Sequence, residues 1–508
     1  MKVILFVPPG GYFAERWSQG STMPNLGILY IAACLEQEGI PVQVVPADVL
    51  GLSLEELEKI ITDEKPDVVG ITVTTENRFD AFELAKRSKR ALPKAITVIG
   101  GPHCTHTADD TLKHLNFIDV VVRNEGEETM LELVKALEAG GDLSKVTGIS
   151  YHDAEGNTVH NPTRIYIKDL NDLPYPARHL VPLEKYNFTM DVPGKGKLPA
   201  ASVITSRGCP FSCTFCATPG NWGRKVRAHS PQYLLDEIQY CMDQYGAKAI
   251  WFYDDIFNFN PKRVHEICDL ILQRKMDFKW FCEVRVDVMT KPLLAKMAEA
   301  GLFHLGFGVE AGSERVRKQI IDKKLDLDQA RNVVDWSNEL GVVPNPFFIF
   351  SHPTETWEEA QETVRIMEEF KDKTEQSIAI MHVYPGTPLE KTAREMGLLP
   401  PDFTWTKRYD RRIITLPAAQ GDVPLFIDRL NWWQISELLF RWSDFRKKKY
   451  RIWNKIPTVL KSIHNFGDFK RYTIMFLVYL KVKFLGQFAT TPRLSSIPNG
   501  PVAFGDSQ

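Results

Sequence analysis

The chain has 508 residues, 44% of them apolar and 25% charged, with a formal net charge of −2. That composition excludes a disordered or collagen-like chain, and eight cysteines in such a length are too few for a disulfide framework. What remains is a globular protein long enough for two or three domains.

The chain opens on "MKVILFVPPGG", which enters a strand pattern directly, without a basic n-region or cleavage site, so a reducing, cytoplasmic setting is expected. Over residues 1–140 strands read at "KVILFVP", "VQVVPAD", "VVGITVT", "AITVIGG" and "IDVVVRNE". Helical patterns lie between and after them, among them "LGILYIAACLEQEG", "SLEELEKIITDE" and "DAFELAKRSKRAL". Short apolar strands joined by helical crossovers predict a doubly wound parallel α/β sheet. Ligands of such sheets bind beyond the carboxyl ends of the strands. Here those ends read "VPPGGYF", "TVTTEN", "GGPHCT" and "RNEGEET", where glycines and hydroxyls suit close backbone approach to a large polar ligand.

Residues 141–200 read as a linker, with "YHDAEGNTVHN" as a hairpin and "LNDLPYPARHL" as an extended stretch. A second alternation fills residues 201–395, with strands at "ASVITS", "AIWFYDD", "FKWFCEVRVD", "FHLGFGVEAG", "VPNPFFIFSHP" and "SIAIMHVYPGT". Six β/α units in this span predict a partial barrel, smaller than the closed eight-unit barrel, with its chemistry at the strand C-termini. Residues 396–508 turn helical, aromatic and basic, and 490–508 read as a frayed tail. Arg441–Lys483 holds twelve Lys and Arg against two acids, Asp444 and Asp468. No apolar run reaches the roughly 18–20 residues of a membrane span, so a soluble or peripheral protein is expected.

"TSRGCPFSCTFC" follows the first strand of the second alternation and places Cys209, Cys213 and Cys216 on one loop. A structural zinc site wants four closed ligands and a disulfide an even number of cysteines; three thiolates suit a metal centre with one open position. A Cys3His knuckle would need a nearby histidine, and the first downstream is His229, thirteen residues beyond Cys216. Cys34, Cys241, Cys268 and Cys282 fall in apolar patterns and read as small buried hydrophobes.

The Cys-x3-Cys-x2-Cys spacing, Phe215 before the third cysteine, and a six-unit barrel opening on this loop resemble the radical S-adenosylmethionine (SAM) superfamily over roughly residues 195–395. The resemblance implies that the three thiolates bind three irons of a [4Fe–4S] cluster, whose fourth iron takes the amino and carboxylate groups of SAM. It further implies that Asp254 or Asp255, in "YDD" after the second barrel strand, holds the SAM amino group, since a carboxylate pairs with an ammonium there. By the same likeness Arg285 meets the SAM carboxylate, Glu310 the ribose hydroxyls, and "VYPGTPL" (383–389) borders the adenine.

The amino-terminal part, with hydroxyls Thr72 and Thr74 at the third strand and Gly100 and Gly101 after the fourth, resembles the flavodoxin-like cobalamin-binding domains. Such a domain ahead of the cysteine loop is similar to the cobalamin-dependent radical SAM enzymes, which include methylases and a chlorophyll ring cyclase. The Asp-x-His-x-x-Gly motif that supplies an axial histidine in many cobalamin domains is absent from "PPGGYFAERW". His103 and His106 are nearest to the glycine pair, and a polar loop role is expected for them. The methylthiotransferase branch fits less well, because residues 1–140 hold only Cys34 and Cys104 in place of a further cysteine triad.

The function implied is a cobalamin-dependent methyltransferase acting on an unactivated carbon of a hydrophobic substrate through a 5′-deoxyadenosyl radical. The alternatives are a radical SAM cyclase, oxidase or rearrangement enzyme without methyl transfer, or a non-catalytic iron–sulfur sensor. An external electron donor such as a flavodoxin or ferredoxin is implied. The basic carboxy-terminal helices admit packing against the barrel, peripheral membrane contact through Trp432, Trp433, Trp442, Trp453 and "RKKKYR", or nucleic acid, ranked last for want of a recognition fold.

Overall fold

The computed structural model describes residues 1–9, 23–409 and 423–445, with the single positions 473, 476 and 477. They form two compact units. The first holds Met1–Phe211, Cys216–Leu305 and Thr404–Lys407; the second holds Ser212–Phe215, Gly306–Phe403 and the described residues from Arg408 onward.

In the first unit, strands β1 (Val3–Val7), β2 (Val42–Pro46), β3 (Val68–Thr72), β4 (Ile96–Gly100) and β5 (Val120–Val122) run parallel in the order β2-β1-β3-β4-β5. This is the doubly wound sheet expected, with its direction of winding reversing between β1 and β3. The reason is visible in β1. Val3, Leu5 and Val7 enter the core beneath helices Leu26–Gln37 and Glu127–Glu138, while Ile4 and Phe6 enter the core beneath Leu54–Glu64 and Arg78–Ala91. A strand covered on both faces must be apolar throughout, and "VILFV" is wholly buried. Turns are set as locally: Ser53 and Glu56 form a capping box on helix Leu54–Glu64, and losing such a cap costs about 1 kcal/mol.

The hairpin expected after residue 150 forms as β6 (Ile149–His152) and β7 (Thr158–His160), but it is no free connection. It extends the first sheet antiparallel to β5, with Val120 opposite Tyr151. A further unread strand, β8 (Thr189–Val192), pairs antiparallel with β9 (Gly196–Val203), which begins earlier than "ASVITS". A two-stranded ribbon, β10 (Ser206–Arg207) and β11 (Arg227–Ala228), brackets the cysteine loop.

β12 (Ala249–Phe252) runs parallel to β9 and to β13 (Lys279–Val284), giving the order β8-β9-β12-β13-β14. β14 (Leu302–Glu310) begins in the first unit and ends in the second, where β14-β15-β16 follows with β15 (Val343–Phe350) parallel to β16 (Ser377–Ile380). The six predicted barrel strands are therefore β9 and β12 to β16, a partial barrel of β/α repeats. Its helices start where the sequence signals them. Ser230, Asn260 and Thr387 each precede a proline at the first helical position and accept N–H bonds from the first turn.

In the second unit, helix Trp432–Phe445 buries Ile435 and Leu438, so the start of the basic region is packed. Trp453, "RKKKYR" and most of the rest of that region lie outside the described residues.

Candidate functional site

A cavity of about 440 Å³ opens at the carboxyl ends of β3 and β4 in the first unit. Thr72, Thr74, Gly100 and Gly101, the four residues the sequence singled out there, all line it. Glycine is required at Gly101 and leaves room for Leu5 at Gly70. A Cβ on Gly101 would lie 2.7 Å from the Val73 carbonyl oxygen, and its φ of +108° is one that side chains resist. Deeper on the sheet face, a Cβ on Gly70 would lie 2.6 Å from Leu5 Cδ2. The other wall comes from Ser202 on β9, Arg207, Asn221, Trp222 and Tyr253. Ser202 Oγ and Asn221 Oδ1 are shielded from solvent and have no hydrogen-bond partner among the described residues. The cavity thus joins an apolar slot along the sheet to polar atoms on the facing wall, which fits a large ring with a polar periphery.

Neither histidine near the glycine pair lines this cavity. His103 is wholly buried, with Nδ1 3.1 Å from Thr75 Oγ1 and its ring against Phe82 and Trp405. Burial, with Arg78 adding to it, holds its imidazole well below the usual range. The His106 ring lies over Gly220, where a Cβ would come within 2.3 Å of Cε1.

The approach to the cysteines is held by a buried ion network that the sequence did not disclose. Arg207 donates to Glu125 Oε1 at 2.9 Å and to Glu127 Oε1 at 2.6 Å, and Arg227 donates to the same Glu125 oxygen at 2.8 Å. Glu125 Oε2 accepts the Ile167 N–H at 2.8 Å, and the Arg207 guanidinium stands 4.9 Å from the Trp222 ring centroid. Asn124, at positive φ, donates to the carbonyls of Gly220 and Asn221 at 2.9 and 3.2 Å. The only signal in sequence was a cluster of acids in "RNEGEET", read there as part of a ligand-binding strand end.

Next along the chain, Gly208 has φ +101° and a Cβ there would lie 2.5 Å from the Lys225 carbonyl oxygen; Cys209 N–H donates to Gly223 O at 3.2 Å. In the second unit, Thr214 donates from N and Oγ1 to Ile321 O and Ile320 O, both at 3.2 Å, and accepts the Leu389 N–H at 3.0 Å. Ser212 donates to Asp322. Both chain neighbours of Cys213 are thereby fixed on the π-turn Val316–Ile320 and its end, a helix form frequent at functional sites. Phe215 is half-buried.

Cys209, Cys213 and Cys216 are each partly exposed, whereas Cys104, Cys241, Cys268 and Cys282 are buried. Burial pushes the Cys241 thiol up to about 11 and Cys268 to about 12, which keeps them protonated core groups; Cys34, half-buried, is also pushed to about 12. Among the described residues no three of His, Cys, Asp and Glu enclose a single metal ion. Thiolates that each take a different iron of a cluster need not. His229 is buried and stacked on Tyr233 at 4.2 Å, and burial pushes it down to about 3.

The two aspartates of "YDD" differ. Asp254 is buried and accepts from Thr205 N at 2.6 Å, Thr205 Oγ1 at 2.5 Å and Ser206 Oγ at 2.6 Å. Asp255 is solvent-reachable and accepts from Thr218 Oγ1 at 2.9 Å; surrounding protein nevertheless pushes its carboxyl up to about 6. Arg285 donates to both oxygens of Asp287 at 2.9 Å and lies 3.6 Å from the Phe211 ring centroid, on the cysteine loop itself. In the second unit, Glu310 is buried at φ +68° and its Oε1 accepts from Lys323 Nζ at 2.7 Å, so it carries a lysine the sequence reading had not paired with it. The "VYPGTPL" turn is closed by Thr387 Oγ1 to Tyr384 O at 2.8 Å and Gly386 N–H to Glu390 Oε2 at 2.8 Å.

Comparison with known proteins agrees with this arrangement. A B12 binding domain model matches residues 18–134, and a Radical SAM superfamily model matches residues 203–367. The uncharacterized methyltransferase PH0819 of Pyrococcus horikoshii is 34% identical over 399 residues, covering 78% of this chain and 84% of that protein. The anaerobic magnesium-protoporphyrin IX monomethyl ester cyclase of Rubrivivax gelatinosus is 28% identical over 405 residues, covering 78% and 70%. The structure of the radical SAM methyltransferase TsrM from Kitasatospora setae, solved with cobalamin and a [4Fe–4S] cluster, has the same fold: TM-score 0.68 at 16% identity, over 95% of this chain and 100% of that one. The corrinoid-type cavity and the triple-cysteine loop thus lie within the two matched families, and the chain belongs to the radical SAM enzymes that carry a B12-binding domain, with a [4Fe–4S] cluster, SAM and cobalamin as cofactors.

Proposed function

We propose that this enzyme methylates an unactivated carbon of a hydrophobic substrate. Its bound cofactors supply reductive cleavage of SAM to a 5′-deoxyadenosyl radical, hydrogen abstraction from carbon and carriage of the methyl group. The observation that carries the reading is the shared cavity. Its walls include Thr72, Thr74, Gly100 and Gly101 from the B12-type sheet, and Arg207, Asn221 and Trp222 from the segments flanking the cysteines.

The chain's own contribution is to bind, orient and exclude water. Cys209, Cys213 and Cys216 are the proposed cluster ligands, with Phe215 beside them. Asp255 is the carboxylate proposed for the SAM ammonium, because both oxygens of Asp254 already serve Thr205 and Ser206. Arg285, steadied by Asp287 and Phe211, is proposed to take the SAM carboxylate as a second partner. Glu310, with its charge balanced by Lys323, is proposed to accept ribose hydroxyls. Trp222 and Tyr253 line the cavity, and their rings are proposed to limit water where a carbon radical must survive. An external flavodoxin or ferredoxin is the proposed electron source.

A second reading, ring formation or oxidation without methyl transfer, is favoured by the identity to the magnesium-protoporphyrin cyclase. Label separates the two. Cells expressing the protein, given methionine with a deuterated methyl group, should accumulate a lipid or tetrapyrrole carrying that methyl, absent from cells making C213A. A new C213-dependent product without label would establish the second reading instead.

A further inference from the structure

We propose that Asp48, Ser202 and Asn221 read the amide periphery of the corrinoid, admitting a fully amidated cobamide and rejecting carboxylate-bearing corrinoids. The proposal rests on the cobalamin reading above and assigns residues within it.

All three line the cavity, and they come from separate places: Asp48 follows β2, Ser202 lies on β9, and Asn221 lies in helix Thr218–Trp222. Asp48 Oδ1, Ser202 Oγ and Asn221 Oδ1 are each shielded from solvent and lack a hydrogen-bond partner among the described residues. Native proteins satisfy nearly all buried polar atoms, so three unpartnered oxygens lining one cavity, with Arg207 Nε as a fourth orphan that can only donate, point to a ligand that carries donors and acceptors side by side. Two of the three oxygens, a carboxylate oxygen and an amide oxygen, can only accept. Their partner must therefore bring N–H or O–H groups.

A corrin ring carries primary amides on its edge, each an N–H donor beside a C=O acceptor, and Ser202 can serve either kind. A corrinoid with carboxylates in those places would set oxygen against oxygen at Asp48 and Asn221, with like charges at Asp48. Burial pushes the Asp48 carboxyl up to about 6 against opposing backbone N–H bonds from Val49 and Asp48, which leaves it largely ionised at neutral pH with Oδ1 as its unpartnered oxygen.

Equilibrium binding to the full-length, cluster-reconstituted protein tests this, read from corrinoid absorbance. The probes are hydroxocobalamin, cobinamide (amidated, without the nucleotide) and cobyrinic acid (carboxylates in place of the amides). The wild type should bind cobinamide at least about tenfold more tightly than cobyrinic acid, the scale of one unmade buried hydrogen bond. Asp48→Leu should weaken cobalamin and cobinamide about tenfold. Asp48→Asn, which keeps the shape and adds a donor, should narrow the preference by binding cobyrinic acid better, an effect that mere loss of structure would not produce. Equal wild-type affinity for cobinamide and cobyrinic acid, or an unchanged preference in both variants, overturns the assignment. A wild type that binds none of the three corrinoids overturns the cobalamin reading itself.

Discussion

Adjacent carboxylates at the end of β12 have opposite surroundings, and this decides what each can do. Asp254 gathers three hydrogen bonds from Thr205 and Ser206, the residues that lead into Arg207 and the cysteine loop. Asp254→Asn replaces one acceptor oxygen by a donor facing other donors, a change worth about 1–3 kcal/mol per bond to a charged group. It should lower the iron bound per chain after reconstitution. Asp255→Asn should leave iron content intact and weaken SAM binding about tenfold by removing one charge-assisted contact. Iron analysis and equilibrium dialysis of SAM read the two effects; SAM binding lost in Asp254→Asn alone, at full iron content, would reverse the roles. The cysteine triad, the proposed cluster ligands, stood out in sequence because its members are neighbours on one loop. The ion pair between Arg207 and Glu125 was not, since its partners are 82 residues apart and a buried pair is a product of tertiary packing. Glu310 and Lys323 are thirteen residues apart and were missed for the same reason.

At the scale of elements, strands and helices were legible where burial imposes a period. β1, β3 and β5 are buried almost throughout and read as apolar runs; three barrel helices announce themselves with Ser, Asn or Thr before proline. β8 was not legible, because it is an edge strand that mixes buried with exposed positions, and the pairing of β6 with β5 was not, because which strand a hairpin joins is set by tertiary packing. The basic carboxy-terminal segment stands apart. Its described start is packed through Ile435 and Leu438, while Phe476 and Leu477 are exposed. Among the described residues no helix is long and apolar enough to cross a membrane. With twelve basic residues against two acids between Arg441 and Lys483, the segment is proposed to contact anionic lipid, each charge near the surface contributing about 1 kcal/mol. In flotation assays the protein should rise with phosphatidylglycerol vesicles at low salt and not with neutral ones, and high salt should release it. No binding at low salt would return the segment to ordinary packing.

At the scale of the whole molecule, one chain is proposed to couple SAM cleavage to methyl carriage by cobalamin. The cavity supports it by drawing Thr72, Gly100 and Gly101 together with Arg207 and Trp222. Neither half of that wall was readable as shared from sequence, because the two stretches are separated by the hairpin β6–β7 and read as independent domains. The direct measurement is anaerobic incubation of the reconstituted protein with hydroxocobalamin, SAM labelled in its methyl group and a low-potential reductant. S-adenosylhomocysteine should form together with label on the protein-bound corrinoid, and 5′-deoxyadenosine in the same mixture, with all three lost in C209A, C213A or C216A. Formation of 5′-deoxyadenosine with no S-adenosylhomocysteine and no labelled corrinoid would contradict that coupling.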